Sequence, residues 1–341
     1  YEIFLIPISY LLFIFVPLPK ISHLTMEITD KLLLQKTRSI PAVISDGYRL
    51  YTGNFKRLFR ASWIVALIYA LCFAFMMSTL INDVLAIIVL TTTYGTQVLT
   101  FKEYTVDFIK AGISVLLFVM AMLALASYAF GASSNHQNTG QINRPVHWWG
   151  TFHVKPFLRL LVASGWMMLI LLVVAVAFGG IIYGVMSAGI VDSLWKSIAT
   201  IVLLIILMSM AGAVLLPLAY PIIRFVVNGN FTWRPPFSGY STGLRHWNLL
   251  FVTLIVTAII TSLLTLICEL PAFVIGTANA KAYAGSAMGD PLGLPENMEL
   301  IALAAFFIAG FVQAYVHLYS IFPLYYAYGS IEQQQKELQD L

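Results

Sequence analysis

Charge is what this sequence has least of. Lys and Arg number 19 and Asp and Glu 15 among 341 residues, so 10% of the chain is charged. A soluble domain carries about 25% charged residues, and this chain has too few to clothe such a surface. Cysteine is scarcer still. Cys72 and Cys268 are the two present, both inside long apolar runs, with no CxxC or His-rich spacing beside them. That pattern argues against a disulfide framework or a metal site, and no cofactor is expected. Catalytic signatures are missing as well. There is no Walker loop, HExxH, GxSxG, paired intramembrane Asp or DxxD-type lipid phosphotransferase pattern. An enzyme needs an activated group and a charge stabiliser held together, so a non-enzymatic role is expected. The net charge of +4 is dispersed over the loops, and no nucleic-acid partner is expected.

What the chain has is apolar length. Its residues are 60% hydrophobic and its mean hydropathy is +0.87. Six uncharged runs reach the length of about 20 residues that spans a bilayer. They are Ala61–Ile81, Ala111–Ala132, Leu160–Ser187, Ser197–Ile223, Trp247–Cys268 and Leu300–Gly329. Transmembrane β-barrels alternate polar and apolar residues over about 10 residues, and these runs do not. The expected fold is all-α: a polytopic membrane protein with six transmembrane helices.

Residues 1–25 begin at Tyr1, and the first Met is Met26. Three readings compete: a seventh helix broken by Pro7 and ended by Pro17 and Pro19, a signal peptide, or upstream sequence translated by mistake. The last is preferred, which sets residues 26–341 apart as a single six-helix membrane domain.

Lys and Arg set the topology. With residues 26–60 in the cytoplasm, 14 cations fall inside, including Lys36, Arg38, Arg49, Lys56, Arg57, Lys155, Arg159 and Arg245. Four fall outside: Lys102, Lys110, Lys196 and Lys281. The acids lie opposite, with Asp83, Asp107, Glu269 and Glu299 among those outside. Both termini are therefore expected in the cytoplasm, with the protein in a bacterial inner membrane. The same count makes Val84–Phe101 an external loop at the membrane interface rather than a span.

Short echoes suggest three repeats, at 42–132, 147–228 and 239–329. "GYRLYTGNFKRLF" (47–59) aligns with "GYSTGLRHWNLLF" (239–251), pairing Gly47 with Gly239 and Tyr48 with Tyr240. "KPFLRLL" (155–161) is the middle copy. Tyr128, Tyr220 and Tyr326 fall in register at the ends of the return helices. Each unit reads as an amphipathic interfacial helix followed by a helical hairpin.

The first lead-in segment carries Ile44, Tyr48, Tyr51, Phe55 and Leu58 along one helical stripe. Arg49, Lys56 and Arg57 fall largely elsewhere. This predicts a helix lying in the headgroup layer, with its cations and those at Lys155, Arg159 and Arg245 meeting anionic lipid in the cytoplasmic leaflet. Thr52-Gly53-Asn54 predicts an elbow. Gly53 would take the left-handed position that ends a helix, and Asn54 would cap the next.

The run Tyr48, Arg49, Leu50, Tyr51, Asn54, Phe55 and Leu58 before a span resembles the six-span membrane domain that precedes some bacterial glycerophosphodiester phosphodiesterases. The resemblance covers roughly residues 40–330 and implies a fold and a location. It implies no reaction, since no soluble phosphodiesterase domain follows in this sequence.

Polar residues in lipid are costly and so are candidates for function. Gln313 and His317 share one face of the sixth span, and Tyr319 lies on the same helix. They could line a polar cavity or be satisfied by neighbouring helices. Glu269, at the outer end of the fifth span, could bind a cation or an amine, or be solvated. Gly180, Gly184 and Ala188 are spaced for close helix contact. His147-Trp148-Trp149 and His153 read as an interfacial cluster. Two functions follow. The first is organising or sensing the bilayer, or supporting a membrane complex, through basic interfacial helices. The alternative is a transporter or channel for a small or lipidic molecule, suggested by the His317/Gln313 face and by Pro217, Pro221, Pro271 and Pro323 near the helix ends.

Overall fold

The computed structural model describes residues 34, 36–94, 105–139, 154–187, 193–228, 230–287 and 297–340. Residues 1–33, with the Met26 question, and the His147–His153 cluster lie outside them. Leu34–Leu341 forms one compact unit. In lipid no water satisfies the backbone, so each apolar run must close its hydrogen bonds within itself as a helix. Among the described residues there is no strand. The helices are α1 Ile40–Tyr94, α2 Thr105–Thr139, α3 Val154–Ser187, α4 Ser193–Leu215, α5 Ala219–Asn228, α6 Tyr240–Arg245, α7 Trp247–Ala287 and α8 Met298–Gln339. A 3₁₀ turn over Leu216–Leu218 joins α4 to α5. Six helical stretches are long and apolar enough to cross a membrane, with α4, the turn and α5 serving as one. The chain is thus a polytopic α-helical membrane protein, as the hydropathy predicts.

α1 packs against α8, with α7 and α2 on either side. The stripe read as interfacial faces α8 instead. Tyr48 stacks flat on Tyr319 with ring centres 3.9 Å apart. Tyr51 lies 5.6 Å from Phe322, and Phe55 lies 5.8 Å from Tyr315. The Tyr51 hydroxyl donates to the Tyr315 carbonyl at 3.0 Å. α3 and α4 sit at the edge. Met168, Leu172 and Val176 of α3 and Ile205 and Met208 of α4 are exposed, as side chains facing acyl chains would be.

Four expectations change. First, there is no elbow at Thr52-Gly53-Asn54, because α1 runs unbroken through it. The Thr52 hydroxyl donates to the Tyr48 carbonyl at 2.9 Å, and Asn54 Nδ2 donates to the Leu50 carbonyl at 3.0 Å. Both side chains bond backward along the helix, so neither caps a new one. Second, Tyr51 is 5% exposed and belongs to the core, not the lipid interface. Third, the external loop Val84–Phe101 begins as helix, since α1 continues to Tyr94. Fourth, a Cβ at Gly180 or Gly184 would meet nothing within 4 Å among the described residues, so no close approach there requires a glycine.

The aligned glycines Gly47 and Gly239 do different work. Gly239 has φ 99° and precedes α6, a backbone shape few side chains allow. Gly47 lies inside α1, where a Cβ would stand 2.7 Å from the Pro323 backbone of α8. The α1–α8 contact is that close only because Gly47 has no side chain. Pro323 and Pro271 sit inside α8 and α7. A proline nitrogen cannot donate, so the carbonyls of Tyr319 and Ile267 lose their helical partners.

Gly47→Ala should destabilise the protein by about 1–3 kcal/mol, since backbone cannot give way as a side chain can. Gly53→Ala, with nothing near its Cβ, should stabilise by about 0.5–1 kcal/mol if the helix is continuous. Thermal melts of both variants in detergent check this. A destabilising Gly53→Ala would restore the elbow.

Candidate functional site

Two buried polar clusters occur among the described residues. The first lies where the two ends of the described chain meet. Thr37 donates to Glu337 at 3.1 Å, so both ends share one side of the protein. Arg38 is the centre. Its side chain is 2% exposed and its Nε donates to Asp46 Oδ2 at 2.9 Å. Its Nη1 donates to the Leu34 carbonyl at 3.0 Å, and its guanidinium lies 4.6 Å from the centre of the Tyr326 ring. The Arg38 amide donates to Ser330 Oγ at 3.0 Å. Tyr325 donates to the Ser133 carbonyl at 2.7 Å and lies 3.5 Å from His136 Nδ1. Tyr220 of α5 donates to Glu332 at 2.6 Å. This cluster ties α1, α2 and α5 to the end of α8. Arg38 is paired and hydrogen-bonded, so the cluster is built for holding rather than for binding.

The second cluster lies within the spans. α7 carries Thr253, Thr257, Thr261, Thr265 and Glu269 at four-residue spacing. At 3.6 residues per turn this row winds about 40° per step, a ridge rather than a straight stripe. Thr253 and Thr257 are buried, at 0% and 3% exposure. The hydroxyls of Thr253, Thr257 and Thr265 and Oε1 of Glu269 are buried with no hydrogen-bond partner among the described residues. Thr261 differs, turning back on the Thr257 carbonyl at 2.7 Å.

The neighbouring helices add to this row. Near its start, the Tyr48 hydroxyl lies beside Thr257 and Tyr319. Near its end, Glu269 acts electrostatically on Tyr69 of α1. The Tyr69 hydroxyl donates to Gln313 Oε1 of α8 at 3.1 Å. The His317 ring lies 6.1 Å from that of Tyr69. A polar seam thus runs between α1, α7 and α8, through a region where a lone polar atom costs several kcal/mol.

The structure brings Gln313, His317 and Glu269 around Tyr69. Tyr319 is apart from them, stacked on Tyr48. Glu269 is not at a helix end, because α7 continues through Pro271 to Ala287. Of the expected lipid contacts, Arg49, Lys56, Arg57, Lys155 and Arg245 are exposed. Arg159 instead donates to the Val226 carbonyl at 2.9 Å, in the last turn of α5. A cation there complements the helix dipole. Sequence reading missed the threonine row, though its i, i+4 spacing was visible. It missed Tyr69 and the Arg38–Asp46 pair, for which no local pattern exists. No group of three or more His, Cys, Asp or Glu that could hold a metal occurs among the described residues.

Fold and seam define the class: a six-span helical membrane protein with a polar interior. No protein-family model, curated protein or solved structure matches the chain.

His136, just past the end of the second span, gives a pH test of the first cluster. Burial first, and the Arg38 guanidinium second, hold its imidazole below the ordinary 6.5. Above that pH the ring is neutral folded or unfolded. As pH falls from about 6.5 through the folded value, the unfolded chain takes up a proton that the fold resists, so stability falls. Melts at pH 7.5 and 5.5 should show the loss, and His136→Gln should reduce it. Equal losses in both proteins would refute the assignment.

Proposed function

We propose that this protein is a transporter or channel for a small molecule, which passes along the seam between α1, α7 and α8. The observation that carries the reading is the set of buried oxygens at Thr253, Thr257, Thr265 and Glu269 that no hydrogen bond satisfies among the described residues. A sealed helix contact in lipid gains nothing from such a row, whereas a pathway uses it to replace the water that a polar solute sheds. The prolines support the same reading. Pro271 and Pro323 interrupt the hydrogen bonding of two of the three seam helices, and broken helices line many transport sites. Under this reading the chain is not an enzyme. It lies in a bacterial inner membrane with the Arg38 end in the cytoplasm. The exposed Arg49, Lys56, Arg57, Lys155 and Arg245 support that orientation.

Those same cations favour a second reading, in which the protein organises anionic lipid at the cytoplasmic leaflet. Replacing Arg49, Lys56 and Arg245 with Ala should then reduce the anionic lipid that co-purifies, measured by mass spectrometry. Unchanged lipid content would remove this reading.

Water access tests the transport reading without knowledge of the substrate. With Cys72 and Cys268 replaced by Ser, single cysteines at Thr257, Thr261 and Thr265 should react in proteoliposomes with a charged, membrane-impermeant thiol reagent. A cysteine at the exposed, apolar Leu263 position should not. A seam that stays unlabelled at all three positions is not a pathway.

A further inference from the structure

We propose that the seam holds a monovalent cation at Glu269, compensated by this single carboxylate and ligated by the neighbouring hydroxyl oxygens. The inference rests on the transport reading for its purpose, since it names the ion that would move or be coupled, but its evidence is local. Glu269 Oε1 is buried with no hydrogen-bond partner. No salt bridge to Glu269 occurs among the described residues. Glu269 is only partly buried as a residue, but a carboxylate oxygen shut off from water without a partner is disfavoured, and a proton or another cation beside it would relieve that cost.

The surroundings set the class. One turn earlier on α7, the Thr265 hydroxyl is also buried and unpartnered. From α1, Tyr69 is the group on which Glu269 acts. Its proton is committed to Gln313, 3.1 Å away, so the phenolic oxygen keeps lone pairs with which to accept. From α8, Gln313 accepts from Tyr69 and the His317 ring lies 6.1 Å from the Tyr69 ring. The titratable groups that interact with the carboxylate are Tyr69 and the adjacent Cys268, and His317 stands beside Tyr69. Carboxylate, hydroxyl and phenol are hard oxygen ligands, which suit a proton or an alkali ion and not a soft metal. One carboxylate balances one positive charge. Divalent ions are held through more carboxylates or several retained waters, and Glu269 belongs to no group of three or more His, Cys, Asp or Glu among the described residues.

The test is the thermal stability of the full chain in detergent, in two arms. In the first, Na⁺ or K⁺ replaces choline at constant ionic strength and fixed pH. In the second, pH is lowered from 8.5 to 7.5 in choline, above the range in which His136 titrates. A ligand that binds only the folded state raises the melting temperature, here by roughly 2–6 °C at saturation. A response to Na⁺ or K⁺ identifies an alkali ion, and a response to pH alone identifies a proton. In either case Glu269→Gln should abolish the response and be at least as stable as the wild type in choline at pH 8.5. Glu269→Asp, which keeps the charge, should retain a weaker response. If wild type and Glu269→Gln behave alike in both arms, the site is refuted. The two readings fail separately. A dry seam with cation-dependent stability removes the pathway and keeps the site. A labelled seam with no dependence on Glu269 does the reverse.

Discussion

The contact between α1 and α8 is the constraint from which the rest of the structure follows. Gly47 brings the α1 backbone against Pro323. From there a ladder of rings, Tyr48 on Tyr319, Tyr51 on Phe322 and Phe55 on Tyr315, continues along the helices. In lipid there is no hydrophobic drive to bring helices together, so close packing and interhelical hydrogen bonds must hold them. The Tyr51 to Tyr315 and Tyr69 to Gln313 bonds supply the second kind. With α1 and α8 held this way, α7 has one groove to fill, and its threonine row enters it. α3 and α4 have no such partner and present their aliphatic side chains outward.

The two polar clusters show how the same environment treats two arrangements. Around Arg38 every charge has an answer: Asp46, two carbonyls and the Tyr326 ring. Such a network specifies geometry, and its strength comes from completeness. Along α7 the oxygens of Thr253, Thr257, Thr265 and Glu269 have no answer among the described residues. The contrast within one chain is what separates a structural cluster from a candidate site. Both are buried and both are polar, but the first leaves only the Ser133 hydroxyl unmet, whereas the second leaves several oxygens along one helix.

Much of the fold is legible because hydropathy in a membrane protein is a direct signal. The number of spans and their centres follow from apolar length alone. Residues 42–60 mislead for a physical reason. A basic helix with an aromatic stripe reads the same whether the stripe meets headgroups or another helix, and only the partner rings of α8 distinguish them. Thr52-Gly53-Asn54 misleads likewise, since Thr and Asn serve a helix interior when they bond back to the preceding turn. Gln313 and His317 are legible as lone polar residues in an apolar helix. Glu269 is visible too, but its sequence places it at a helix end, because Pro271 reads as a stop and is a tolerated interruption in a packed span. Tyr69 is invisible, being one tyrosine in an apolar run until Gln313 stands opposite it.

The unbroken course of α1 has a mechanical consequence. At 1.5 Å per residue its 55 residues make a rod about 80 Å long, against a hydrocarbon layer of about 30 Å. With no joint at Gly53, such a rod tilts as a whole. A small change of tilt within the bilayer becomes a sideways sweep of several ångströms at each projecting end. One end is bound into the Arg38 cluster, and the middle borders the seam at Tyr69. Displacement of the far end, or a change in bilayer thickness, would therefore be felt as a lever stroke at both.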